Sequence, residues 1–292
     1  METKVDLKEL IRRLSAETKF SQILLEKDYH LTRILHKVSD KQIKDLVFKG
    51  GTCLNKCYLD LHRLSEDLDF TYNKDINNLS RNQVKKILDQ LRGEFFEILD
   101  ILGLKINKEL GKGWKMLTSK KPPKILGLEI TTNYRSLIDN SSQEIKIEIS
   151  FRKKFRKPIK IKAIRHKFID ALGEPVLRKN IKIEVVDLVE NFAEKIRALV
   201  TRKMVASRDI YDIYFILKNE VIAIDKEVIR LIIIKINESK KFTKKDLMEF
   251  IKSLNDRVVD LDEKEIAAVI KTDENIDFKK MAQLIIRKFN IT

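Results

Sequence analysis

Apolar residues recur along this chain with two different periods, and the change from one to the other divides it. Helical spacing governs residues 5–38, where Leu10, Leu14, Phe20, Ile23, Leu24, Leu31, Ile34 and Leu35 recur at helical intervals. A short apolar run, DLVFK (45–49), predicts a buried strand ended by Gly50-Gly51, with Thr52 placed to cap a helix that reaches about Leu61. In Asp67–Tyr72 the apolar Leu68 and Phe70 alternate against Asp67 and Asp69, which predicts a second strand. Residues 80–102 form an amphipathic helix, and 104–110, 124–135 and 144–152 are further strands. In the last of these Ile145, Ile147, Ile149 and Phe151 face one way and Lys146, Glu148 and Ser150 the other. IKIEVVD (181–187) is a short strand or connector. From there the period is helical, in segments near 187–201, 207–218, 225–236, 243–256, 262–271 and 277–289. The fold expected is α+β: a first domain, 1–180, built on a mixed β-sheet flanked by helices, followed by an all-helical domain, 181–292.

Composition narrows what this fold could be for. The 292 residues carry 60 Lys and Arg against 44 Asp and Glu, a net charge of +16, which favours a polyanionic partner, nucleic acid before an anionic membrane. A Lys- and Ile-rich chain drifting in composition would carry the same surplus. The densest basic stretch, 152–167, mixes Phe155 and His166 among its cations and suits a strand-and-loop surface that grips phosphates; a solvated basic face reads the same way. Lys240, Lys241, Lys244 and Lys245 form a second cluster. No run of about eighteen uncharged apolar residues occurs, and METKVDLKEL lacks an apolar signal core, so a cytoplasmic protein with no membrane partner is expected. Cys53 and Cys57 sit four apart where a disulfide is geometrically awkward, and the four histidines are scattered, so buried or incidental thiols are expected rather than a zinc site.

The chemistry concentrates in residues 48–70, FKGGTCLNKCYLDLHRLSEDLDF. Gly50 and Gly51 allow backbone N–H groups to approach a triphosphate without Cβ obstruction, and a helix N-terminus behind them favours negative charge. Asp67 and Asp69, one residue apart on a strand, point the same way and can share divalent cations, Mg²⁺ or Mn²⁺. Two such ions can activate an attacking hydroxyl and stabilise a leaving pyrophosphate. A third carboxylate should come from a neighbouring strand: Glu148 on the polar face of EIKIEIS, or Glu129 in LGLEITTNY. Ser65 would orient the loop that leads to Asp67.

The pattern KGGTxLxK…RxSEDxDF, followed far downstream by NFAEKIRALVTRKMVASRDIYDIYFI (191–216), resembles the AbiEii family of nucleotidyltransferase toxins, related to the MenT toxins of mycobacteria. Both blocks occur in order and span roughly 48–216. The resemblance implies a DNA polymerase β-type nucleotidyltransferase domain whose site the helical domain completes. Gly51 and Thr52 would hold the triphosphate, with Lys56 and Arg63 as phosphate or structural partners. Asp67 and Asp69 would hold metal, Lys195 would contact nucleotide phosphates, and Asp209 is the downstream acidic position, with Asp212 one helical turn on. Tyr211 and Tyr214 read as packing residues.

What such a site would act on is less determined. The resemblance implies transfer of a nucleotide from an NTP to the 3′ end of tRNA, inhibiting translation, and a cognate antitoxin that neutralises the protein. Nucleotidylation of protein Ser, Thr or Tyr, and a non-catalytic nucleic-acid-binding module, are the alternatives. The paired acids speak against the last, and the charge favours RNA over protein as acceptor.

Overall fold

The computed structural model describes residues 6–120, 123–151 and 155–290. The chain divides after Val186 into two compact units, six residues past the expected boundary.

The first unit opens with two helices where one continuous helical stretch was expected. Helix α1 (Leu7–Thr18) starts on Asp6, whose carboxylate accepts from Lys8 N–H, and stops at Lys19 in the left-handed region, φ 65°. The Ser15 hydroxyl donates to the Phe20 carbonyl across the break. Ser21 then caps α2 (Gln22–Lys41) by accepting from Leu24 N–H. The heptad-like apolar spacing runs through both helices because both pack on the same core, so the spacing does not register the break.

The sheet follows. Its strands are β1 (Leu46–Lys49), β2 (Asp67–Tyr72), β3 (Lys105–Ile106), β4 (Trp114–Lys120), β5 (Pro123–Arg135), β6 (Ser142–Ser150), β7 (Lys160–Ala163) and β8 (Lys182–Val185). Helix α3 (Gly50–Cys53) and a π-helical turn (Leu54–Tyr58) lie between β1 and β2, and α4 (Arg81–Ile101) follows β2 behind a Ser80–Gln83 capping box. The order across the sheet is β3-β5-β6-β2-β1-β8-β7, with β4 also paired to β5. The β2–β6 and β1–β8 pairs are parallel and the others antiparallel, so the sheet is mixed as expected. The strand expected at 104–110 shrinks to the two residues of β3. Strands β4 and β7 were not foreseen. In β4 a register shift between Leu117 and Thr118 breaks the alternation, and in β7 the one large apolar residue, Ile161, is exposed. Of the basic stretch 152–167, β7 takes 160–163, and residues 152–154 lie outside the described residues.

One face of the sheet is apolar and carries the core. Leu68 and Phe70 of β2, Leu128 and Ile130 of β5, and Ile145, Ile147 and Ile149 of β6 pack with Leu31, Ile34 and Leu35 of α2 and with Leu88, Leu91, Phe95 and Ile98 of α4. Each fully buried Leu, Ile or Phe contributes about 1.5–3 kcal/mol of transfer free energy. Phe70 stands between Phe48 and Phe95, at 5.3 and 5.6 Å between ring centroids.

The second unit is helical: α5 (Leu188–Thr201), α6 (Ser207–Lys218), α7 (Lys226–Asn237), α8 (Lys244–Lys252), α9 (Leu254–Arg257), α10 (Glu263–Ala267) and α11 (Phe278–Asn290). The segment expected at 243–256 divides at Ser253 into α8 and α9. Phe192, Ile196, Ile210, Ile213, Ile232, Leu247, Ile285 and Phe289 are buried within this unit. Lys235, itself buried, pairs with Glu190 and lies 3.2 Å from Glu194. Among the described residues no helix is long and apolar enough to cross a membrane.

Gly127 lets β5 approach β6. Its φ is +154°, and a Cβ there would stand 2.9 Å from the Ser150 Cα and 3.1 Å from the Ile149 carbonyl carbon, both backbone atoms. Gly127→Ala should therefore cost about 2–3 kcal/mol, the range of a strained backbone position. Urea unfolding of the variant measures it, and an unchanged midpoint would contradict this packing.

Candidate active site

Strand register gathers the acidic residues. On β2, Asp69 pairs across β1 with Lys49 and across β6 with Glu148, while Asp67 pairs with Lys146. On the far side of β6, Glu148 pairs with Glu129 of β5. Partners in register share a face, so Asp69, Glu148 and Glu129 form a row over three adjacent strands. That face is opposite the one built by Leu68, Phe70 and Ile147.

The glycine turn is locked against this row. Gly50 has φ +79°, and a Cβ on it would lie 2.9 Å from the Asp69 Cβ, so both backbone conformation and space require glycine. The Thr52 hydroxyl donates to the Asp67 carbonyl at 2.5 Å, and Asn55 Nδ2 donates to the Gly51 carbonyl at 3.0 Å. Thr52 is thus not the helix cap expected from the sequence. Lys49 occupies that position without a side-chain capping bond, and Thr52 instead ties the turn to β2.

Thr52 was expected at the triphosphate, and Lys56 and Arg63 as phosphate or structural partners; all three side chains are turned into the fold, which for Lys56 and Arg63 is the structural alternative. Lys56 is 0% exposed, paired with Asp28 at 2.7 Å and donating to Thr32 Oγ1 at 2.9 Å, both on α2. Arg63 is buried and donates to the Leu64 carbonyl at 2.8 Å. Thr52 thus ties the turn to β2, and Lys56 ties the segment after it to α2. Ser65 is half-buried in the loop that enters β2. Lys27 approaches Glu66 at 3.6 Å, so α2 reaches this loop as well.

Burial raises the Asp67 carboxyl above its ordinary range, and the neighbouring Asp69 charge raises it further, opposed by Lys146. Among the described residues no group of three or more His, Cys, Asp or Glu side chains stands ready to hold a metal ion. The donor set nevertheless fits a hard divalent cation that completes its shell with substrate phosphates: oxygen ligands only, two carboxylates at alternate positions, partly desolvated and repelling each other. Glu129 is 13% exposed and engaged by Lys115 at 2.7 Å and Lys146 at 3.5 Å. Glu148 is one strand nearer to Asp69, so of the two candidate third carboxylates it is the better placed. Cys53 and Cys57 are free and buried, and burial pushes the Cys53 thiol well up.

In the second unit Lys195 is not a solvated surface lysine. Its side chain is 13% exposed and lies 2.8 Å from both Asp209 and Asp212 on α6. Asp209 also pairs with Arg202. Asp212 is fully buried and, with Asp209, fixes the position of the Lys195 ammonium. Tyr211 is buried and donates its hydroxyl to Glu274 at 2.7 Å, the packing role expected for it. The sequence reading missed Lys146 as the counter-charge beside Asp67 and Asp28 as the buried partner of Lys56. Lys146 could have been found, since it shares the polar face of β6 with Glu148; nothing local marks Asp28.

A family model described as "Nucleotidyl transferase AbiEii toxin, Type IV TA system" matches residues 33–283. The chain belongs to this family of nucleotidyltransferase toxins, and membership implies an antitoxin counterpart. Among solved structures the chain is similar to MenT4, the nucleotidyltransferase toxin Rv2826c from Mycobacterium tuberculosis H37Rv, at 19% identity and TM-score 0.63, covering 97% of this chain and 88% of that one. It also resembles JHP933 from Helicobacter pylori at 18% identity and TM-score 0.51, covering 93% and 95% of the two chains. At those identities the likeness concerns the fold. Comparison with curated protein sequences gives no match.

Lys56→Ala leaves Asp28 buried without its cation and should cost about 3–5 kcal/mol, whereas Lys56→Met with Asp28→Leu should recover most of that loss. Chemical denaturation of the two proteins checks this, and equal losses would show that the pair is not the reason Lys56 is buried. The raised Asp67 carboxyl makes the folded chain bind more protons than the unfolded one just above the ordinary carboxylate range. Stability attributable to this group therefore falls as pH rises from near 3.8 through its raised value. Asp67→Asn removes that loss and should raise the melting temperature at pH 7 in the absence of divalent cations. A lower melting temperature for the variant would refute the destabilisation by burial and by the Asp69 charge.

Proposed function

We propose that this protein transfers a nucleotidyl group from a nucleoside triphosphate to an RNA acceptor, and that a cognate antitoxin silences it. The observation carrying this reading is the row formed by Asp69 and Glu148 beside a glycine turn that only glycine can make. Asp67, Asp69 and Glu148 would hold divalent cations, Mg²⁺ or Mn²⁺, which when bound neutralise triphosphate charge and acidify the acceptor hydroxyl. Backbone N–H groups at Gly50 and Gly51 orient the triphosphate, and the bend at Gly50 keeps it against Asp69. Glu148 draws the proton from the acceptor hydroxyl as its oxygen bonds to the α-phosphorus. The bond from that phosphorus to the β-phosphate oxygen breaks, and pyrophosphate leaves. Within the second unit Asp209 and Asp212 orient Lys195, the cation that the family resemblance assigns to nucleotide phosphates.

The distribution of charge supports RNA as the acceptor. Residues 1–186 hold 39 Lys and Arg against 25 Asp and Glu, a surplus of 14, while residues 187–292 hold 21 against 19, a surplus of 2. Almost the whole positive surplus thus belongs to the unit with the acidic row, as binding a polyanion there requires. A tRNA 3′ end as the acceptor, and inhibition of translation as the consequence, are what the family resemblance adds to this reading.

Purified protein incubated with total RNA, each labelled NTP in turn and Mg²⁺ should place label on small RNA. Asp69→Ala and Lys195→Ala should each reduce transfer at least about a hundredfold, and chelation should abolish it, while circular dichroism stays native. Label on protein alone would replace RNA with a protein acceptor. Undiminished transfer by both variants would show that the site lies elsewhere.

A further inference from the structure

Lys146 stands beside the acidic row with a charge opposite to every carboxylate in it. It alternates with Glu148 on the polar face of β6 and is the register partner of Asp67 on β2. Its ammonium lies 3.5 Å from Glu129 Oε2, while Lys115, the register partner of Glu129 on β4, holds Oε1 at 2.7 Å. Lys115, Glu129, Lys146 and Asp67 thus alternate in sign across the neighbouring strands β4, β5, β6 and β2.

This alternation separates the two carboxylates of β5 and β6. Glu129 is engaged by two lysines, whereas Glu148 faces Asp69 in register. The Glu129 side chain is 13% exposed against 40% for Lys146, so the carboxylate is the fixed partner and the ammonium the one it steers. Lys146 acts on Asp67 in turn. Burial and the Asp69 charge push that carboxyl up, and the Lys146 charge is the largest opposing influence. Lys27 opposes more weakly and lies 3.6 Å from Glu66. Lys49 of β1 is the register partner of Asp69, on the other flank of the pair.

An ammonium steered to this flank has two opposite effects. It repels a bare divalent cation approaching Asp67, since both are positive. It attracts a cation that arrives on a nucleoside triphosphate, because that complex is negative overall. A neutral side chain would do neither.

We infer that Lys146, held by Glu129, makes cation loading at Asp67 and Asp69 depend on the triphosphate: the bare ion binds weakly, and the ion with its nucleotide binds well. The inference rests on the metal-holding role proposed for the two aspartates and names the group that sets the order of loading.

The test titrates the full chain calorimetrically with Mn²⁺ alone, and with the preformed complex of Mn²⁺ and an α,β-methylene nucleoside triphosphate, each base in turn. The wild type should bind the complex more tightly than the bare ion. Lys146→Met should tighten binding of the bare ion at least about fivefold and leave binding of the complex no tighter. Lys146→Arg should behave as the wild type. Glu129→Gln should weaken binding of the bare ion, and by less when Lys146→Met is also present. Lys85→Met, exposed on α4 behind the sheet, removes the same charge elsewhere and should match the wild type. Unchanged affinity for the bare ion in Lys146→Met, an equal gain in Lys85→Met, or an equal gain for the complex overturns the inference. An equal effect of Glu129→Gln in both backgrounds overturns it too, since Glu129 would then act on the ion directly. If Asp69→Ala abolishes Mn²⁺ binding while Lys146→Met leaves it unchanged, this inference fails and the metal role of the aspartates stands. Wild-type binding that Asp69→Ala does not reduce, or no wild-type binding of either ligand, overturns both.

Discussion

Strand β2 has a neighbour on each side, β1 and β6, so its side chains can emerge only above or below the sheet. Leu68 and Phe70 are claimed by the core between α2 and α4, and Asp67 and Asp69 are thereby forced out together on the other face. Two like charges, partly desolvated, are not a stable arrangement in themselves, as the raised Asp67 carboxyl records. The apolar half of the strand holds them there, with Phe70 wedged between Phe48 and Phe95. The core thus supplies the free energy that keeps an electrostatically unfavourable pair in place, and a bound cation would relieve it.

Around this strand the remaining contacts act as locks. The Thr52 hydroxyl fixes the glycine turn to the Asp67 carbonyl, and the turn is held from behind by Lys56. Helix α2 reaches three places from one short stretch: Asp28 and Thr32 grip Lys56, Lys27 approaches Glu66 in the loop before β2, and Glu26 accepts from Ser136 and from the Leu137 N–H beyond β5. A buried ion pair contributes little net stability but makes any other arrangement costly, which suits a helix whose work is alignment.

Much of this was legible in the sequence where side-chain alternation and packing coincide. Strand β2, helix α4 and the polar face of β6 were read within a residue or two, because each has one buried face and one wet one. The acidic row was legible for the same reason, with Glu148 marked by parity alone. The break between α1 and α2 was not, since Lys19 in a left-handed turn leaves the apolar spacing undisturbed. Strands β4 and β7 escaped because a register shift interrupts one and the other exposes its isoleucine. The tie from Thr52 to β2 escaped, and the choice between phosphate and structural roles for Lys56 and Arg63 stayed open, for a different reason. A motif says which residue types recur together, while whether a cation meets a phosphate or an aspartate depends on a helix more than twenty positions upstream.

That upstream dependence bears on where the working protein begins. The family match starts at residue 33, yet Glu26, Asp28 and Thr32 all precede it. A chain trimmed to the matched span would keep every acidic residue of the row and still expose the underside of the glycine turn to water. The Lys56 ammonium would lose its counter-ion Asp28 and its acceptor Thr32. The residues ahead of the match are therefore part of what holds the glycine turn and the loop before β2 in place.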